Sequence, residues 1–113
     1  MVNRPTPFPP VTPVLLDEIV RRILAVGSPE RIVLFGSHAR GDAGATSDLD
    51  LLIVEESTLP RYRRAPPYLR ALVGTYPAKD VVVWTPAEVD AWREVPNAFI
   101  TAALREGRTL YER

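Results

Sequence analysis

The sequence predicts an α/β (α+β) domain, because helical and strand patterns alternate along its 113 residues. Three observations support this. Leu15, Leu16, Ile19, Val20, Ile23 and Leu24 recur at helical spacing, with Asp17, Glu18, Arg21 and Arg22 on the other side. Three short runs, Arg31–Phe35, Asp48–Val54 and Lys79–Trp84, are apolar and rich in β-branched residues. The stretch between the second and third runs has room for a helix, so those strands run parallel if they share a sheet.

Met1 to Thr12 holds Pro5, Pro7, Pro9 and Pro10 and reads as an extended arm, leaving 13–113 as a single domain with one core. A first helix starts near Pro13, where a first-turn proline is tolerated, and stops at Gly27. Gly36-Ser37 ends the first strand. Ser37 to Gly41 reads as one helical turn, and Asp42 to Ser47 as a small polar loop. The second strand is apolar on both faces beyond its aspartates, so it is expected to be central. Pro66-Pro67 forbids one continuous helix over Leu59–Tyr76, and a helix from about Pro67 to Thr75 fits Leu69, Leu72 and Val73. Thr85 reads as an N-cap before Pro86, Ala87 and Glu88. Pro96 or Asn97 is expected to open the last helix, with Phe99, Ile100, Ala103 and Leu104 inward and Gly107 as its C-cap. Thr109 to Tyr111 reads as a small edge strand.

Fourteen basic residues balance fourteen acidic ones, so no global field draws the chain to nucleic acid or membrane. The absence of cysteine removes disulfides and thiolate metal sites and fits a cytoplasmic location. No apolar run approaches the roughly 20 residues that a membrane-spanning helix needs, and the N-terminus lacks the pattern of a signal peptide.

Chemistry concentrates in Gly36-Ser37 and in Asp48-Leu49-Asp50. Residues two apart on a strand point the same way, so Asp48 and Asp50 are expected on one face. If the first two strands are antiparallel neighbours, the end of one meets the start of the other. A parallel third strand then brings Asp80 to the same edge. Clustered carboxylates repel one another, and a divalent cation removes that cost. Magnesium suits few protein carboxylates completed by substrate phosphates, and two such ions can clamp an in-line displacement. The Gly-Ser turn offers N–H groups and a hydroxyl to phosphate oxygens. Gly36 and Gly41 have the P-loop spacing, but Asp42 stands where that motif needs Lys, which rejects a P-loop.

These residues resemble the minimal nucleotidyltransferases of the DNA polymerase beta superfamily. The resemblance rests on Gly36, Ser37, Asp48, Asp50 and Asp80, on Val33-Leu34-Phe35 before the turn, and on Ala39-Arg40-Gly41 and Ser47 after it. It implies a nucleotidyltransferase fold, a small mixed sheet flanked by helices. It also implies transfer of a nucleoside monophosphate, AMP from ATP being the expected case, to a hydroxyl. Asp48, Asp50 and Asp80 would bind two magnesium ions, with Asp80 also taking the hydroxyl proton. Gly36 and Ser37 would hold the terminal phosphates, and Arg40 would steady their charge. A chain of this size resembles the antitoxin whose partner is a HEPN-domain toxin, a tyrosine of which would receive AMP. The alternative is a non-catalytic antitoxin that neutralises its partner by surface contact.

Other residues carry blander expectations. His38 reads as a loop side chain, Arg40 as equally a surface ion-pair residue, and Trp84, Trp92 and Phe99 as core. Arg61, Arg63, Arg64 and Arg70 read as a solvated face, or as a patch for an acidic partner or RNA.

Overall fold

The computed structural model describes residues 10–44, 46–96 and 98–113. Nearly all of the predicted arm, and one of the two positions expected to open the last helix, lie outside the described residues.

Helix α1 (Pro13–Val26) begins where Thr12 accepts a hydrogen bond from the Leu15 N–H, and it buries Leu16, Ile19 and Ile23. Leu24 remains 38% exposed, so the inward stripe is narrower than the spacing suggested. Gly27 does stop the helix, but in extended backbone rather than the left-handed form common at helix ends. Glycine is needed there for space, because a Cβ would overlap the Tyr68 hydroxyl.

Strand β1 (Arg31–Phe35) is followed by the single-turn helix α2 (Ser37–Arg40) and by strand β2 (Leu49–Val54). A 3₁₀ turn at Arg61–Arg63 leads into helix α3 (Pro66–Ala71). This helix ends earlier than expected, because Leu72 leaves helical geometry and Gly74 turns with φ +90°. Its inward face differs in part: Leu72 is buried as expected and Tyr68 is buried with it, whereas Leu69 and Val73 are 40% and 74% exposed. Strand β3 (Lys79–Trp84) precedes helix α4 (Pro86–Trp92), where Thr85 and Glu88 form a reciprocal capping box. Helix α5 (Phe99–Glu106) opens later than Pro96 or Asn97, with Ala98 as its cap, and strand β4 (Arg108–Glu112) closes the chain.

Among the described residues four strands form one mixed sheet in the order β3-β2-β1-β4. β1 is antiparallel to both β2 and β4, while β2 and β3 are parallel. Residue alternation divides the core. Leu16, Ile19 and Ile23 of α1, with Tyr68 of α3 and Leu72 just after it, cover Ile32, Leu34, Leu49, Leu51, Ile53, Val81 and Val83. On the other face, Val89, Ile100 and Ala103 of α4 and α5 cover Val33, Leu52, Val54 and Trp84. β2 lies inside the sheet with both faces buried, as its apolar run predicted. Among the described residues no helix is long and apolar enough to cross a membrane.

Candidate active site

The register sets three residues in one row. Phe35 pairs with Asp50 across β1 and β2, and Asp50 pairs with Asp80 across β2 and β3. Asp50 shares the phase of Leu52, and Asp80 that of Val82, so both carboxylates lie on the α4–α5 face of the sheet. Adjacent strands are roughly 4.8 Å apart, which brings the two carboxylates into electrostatic contact. Asp48 departs from expectation. β2 starts one residue after it, and its side chain is exposed. The backbone leaves the sheet ladder there, so strand alternation does not fix its direction.

The carboxyl of Asp50 titrates above its ordinary value. Burial is the largest cause, followed by the negative charges of Asp80 and Asp48, against weaker opposition from His38 and Arg40. Asp50 thus feels both other acids of the predicted set.

Gly36 makes this arrangement sterically feasible. It has φ +73° and ψ −155°, a region that only glycine enters freely. A Cβ there would overlap Oδ2 of Asp50 and stand 3.0 Å from its Cγ. The turn therefore lies directly against the carboxylate. Ser37 follows as the first residue of α2, and the leading N–H groups of a helical turn have no acceptor within it. The Gly36 carbonyl accepts from the N–H groups of Ala39 and Arg40, which closes the turn.

Two side chains play parts that the sequence did not reveal. His38 Nε2 lies 3.1 Å from the Ser47 carbonyl, tying α2 to the residue before Asp48. Ser47 in turn accepts from the Gly44 N–H at 2.8 Å. Glu106 lies 3.6 Å from Arg40, which also pairs with Asp42 at 3.3 Å. Arg40 is therefore held by two acids at the surface. The lone histidine and a helix-end glutamate carry no spacing signal, because their partners are distant in sequence.

The basic group also divides. Arg64 is nearly buried and donates to Glu88, to the Leu59 carbonyl and to the Val83 carbonyl, while Arg61 lies 4.4 Å over the Trp84 ring. Arg64 is structural and leaves the expected solvated face, whereas Arg61, Arg63 and Arg70 are exposed. Trp84 is buried as expected, but Trp92 and Phe99 are 50% and 43% exposed. Trp92 is the last residue of α4, and Phe99 the first of α5, so each sits where its helix leaves the core.

Among the described residues no three His, Asp or Glu side chains are gathered closely enough to hold an ion by themselves. The three acids thus do not form a closed ligand cage. An open, oxygen-only carboxylate pair still fits magnesium, which takes one or two carboxylates and completes its shell with phosphate and water.

With this geometry in place, comparison defines the class. Residues 16–110 match the family described as Nucleotidyltransferase domain, and the chain belongs to that family. A toxin-antitoxin solved with AMP-PNP is similar in fold, with TM-score 0.66 and 18% identity over 87% of this chain and 73% of that one. A putative nucleotidyltransferase from Sulfolobus solfataricus gives TM-score 0.56 and 21% identity over 89% of this chain and 77% of that one. The chain has no significant sequence match among curated proteins.

Proposed function

We propose that this chain moves AMP from ATP to a hydroxyl of a partner protein and acts as the antitoxin of a toxin-antitoxin pair. The partner in this reading is a HEPN-domain toxin, and the acceptor is one of its tyrosines. The observation that carries the proposal is the close approach of Gly36 to the Asp50 carboxylate, in a row that continues to Asp80. In this reading the turn accepts phosphate and the paired acids stand beside it. The toxin-antitoxin neighbour supports the context.

In the proposed reaction the acceptor oxygen attacks the α-phosphorus. The new O–P bond forms as the bond to the bridging oxygen breaks, and pyrophosphate leaves. Asp80 receives the hydroxyl proton. Gly36 and Ser37 bind the terminal phosphates through N–H groups and a hydroxyl. Asp48 and Asp50 are the carboxylates that would hold magnesium, with Asp80 beside them; the ions, when bound, neutralise charge on the phosphates. His38 keeps the Ser47–Asp48 segment against the turn.

The test is incubation with α-labelled ATP, magnesium and a candidate HEPN-domain partner, alongside calorimetry with magnesium and AMP-PNP. Label on the partner is expected, and Asp50→Ala should remove it. Neither label nor nucleotide binding would sink the reading. A second reading, neutralisation by surface contact alone, is favoured by the exposure of Trp92, Val95 and Phe99. Retained neutralisation by Asp48→Ala/Asp50→Ala would select it.

A further inference from the structure

We infer that the ring of Phe99 is the platform on which the base of the nucleoside triphosphate stacks. The inference rests on the transfer reading above, and it concerns the part of the substrate that the acids and the turn do not touch.

Strand alternation and register lay out the sheet face beneath α4 and α5. Phe35, Asp50 and Asp80 form one row, Val33, Leu52 and Val82 the next, and Arg31, Val54 and Trp84 the third. Phe99 stands over this grid. Its ring centroid is 5.2 Å from that of Phe35, edge to face at 77°, and 6.0 Å from that of Trp84. Phe35 and Trp84 occupy opposite corners, so a ring that reaches both lies over Leu52, one row from the two carboxylates. A row step is two residues of strand, roughly 6.6 Å. The ribose of a nucleotide bridges a gap of that size between the α-phosphate and the base.

The helices leave this spot open. At the start of β3, Asp80 is exposed and Val82 only half-buried. Phe99, over the neighbouring Leu52, is 43% exposed. The two rings beneath it offer less. Phe35 is half-buried, and Trp84 is 8% exposed with the Arg61 guanidinium 4.4 Å over its ring. Phe99 is thus a braced aromatic ring with free surface beside a charged centre. That combination suits a nucleobase, whose π-face stacks on an aromatic ring whatever its edge pattern. Stacking strength grows with ring area, so purines are favoured over pyrimidines. A contact surface for a partner would gain nothing from carboxylates one row away, whereas a bound nucleotide is held at both ends.

The test is calorimetry on the full chain with magnesium AMP-PNP and, separately, with magnesium tripolyphosphate, which has the phosphates without a base. Phe99→Ala should weaken AMP-PNP binding about tenfold and leave tripolyphosphate binding unchanged, while Phe99→Tyr keeps both at the parental level. The parent should bind non-hydrolysable purine triphosphates more tightly than the CTP and UTP analogues. Should Phe99→Ala fail to fold, nuclear Overhauser contacts between the adenine protons and the Phe99 ring in the parent decide alone. Equal losses for both ligands, unchanged AMP-PNP affinity, equal affinity for purine and pyrimidine analogues, or no adenine contact overturns the inference. Loss of partner neutralisation with AMP-PNP affinity intact also overturns it and assigns the ring to a contact surface. Label transfer is read separately. Phe99-dependent binding without transfer ends the transfer reading and keeps the base platform, and transfer from ATP at the parental rate and affinity by Phe99→Ala does the reverse.

Discussion

Replacing Gly36 by alanine, with Gly41→Ala as its control, separates backbone strain from site geometry. Both glycines have positive φ, +73° and +85°. At Gly41 a Cβ would meet nothing within 4 Å, so Gly41→Ala carries only the left-handed penalty, roughly 1–2 kcal/mol. At Gly36 the backbone region costs about 1–3 kcal/mol for any other residue. There the new methyl also overlaps Oδ2 of Asp50 and must push that carboxylate aside. With roughly 4 °C per kcal/mol for a domain of this size, both variants should melt within about 12 °C of the parent. Their function should diverge. A displacement of about 1 Å at a reacting group can cost 10²-fold in rate. Gly36→Ala should therefore lose nucleotide transfer by about that factor and bind magnesium AMP-PNP weakly, while Gly41→Ala keeps both. The assays are thermal melts, calorimetry with AMP-PNP and label transfer. A folded Gly36→Ala variant that transfers at the parental rate would refute the reasoning, because the turn would then not be positioning the carboxylate.

Asp50→Asn should be more stable than the parent at neutral pH. The folded state raises the Asp50 pKa above its ordinary 3.8, so stability falls as pH rises from there through the raised value, then levels off. Urea midpoints of the two proteins should separate more at pH 7 than at pH 3, and equal gaps would contradict the assignment. Glu88 behaves oppositely: burial opposes its ionisation, but the Thr85 N–H, Arg64 and Arg61 together hold it down to about 2. Its contribution is present above 4.5 and is lost as pH falls toward 2. Glu88→Gln keeps a capping acceptor but drops the ion pairs, and should cost about 1 kcal/mol at pH 7 after solvent screening, shrinking toward pH 2 in chemical denaturation. His38→Ala removes one hydrogen bond of about 1 kcal/mol and frees the Ser47–Asp48 segment. Transfer should fall several-fold with little change in nucleotide affinity, and a parental rate would mean that the tie is idle.

Several elements could be read before folding because their signals are local. Proline at the start of α1, Thr85 before Pro86 and the apolar run of β2 each report a constraint met within a few residues. The Gly-Ser turn and the Asp-x-Asp pair were visible for the same reason. Local pattern failed where a distant partner decided the outcome. Tyr68 rather than Leu69 turned inward, and its hydroxyl donates to Glu55, which also accepts from the Ser28 N–H. Gly27 is glycine because Tyr68 occupies the space of a side chain. Arg64 left the predicted solvated face because Glu88 and the Val83 carbonyl hold it.

The sequence by itself determined the order of helices and strands, the central position of β2 and the residue types available for phosphate and cation chemistry. Those follow from periodicity, backbone preference and side-chain charge, which act over short stretches. Only the tertiary structure decided that Asp80 stands in register with Asp50, that Asp48 lies outside the ladder, and that the Gly36 backbone rests on a carboxylate. Such relations depend on strand pairing between segments far apart in the chain, and that pairing is fixed by burying both faces of the sheet at once.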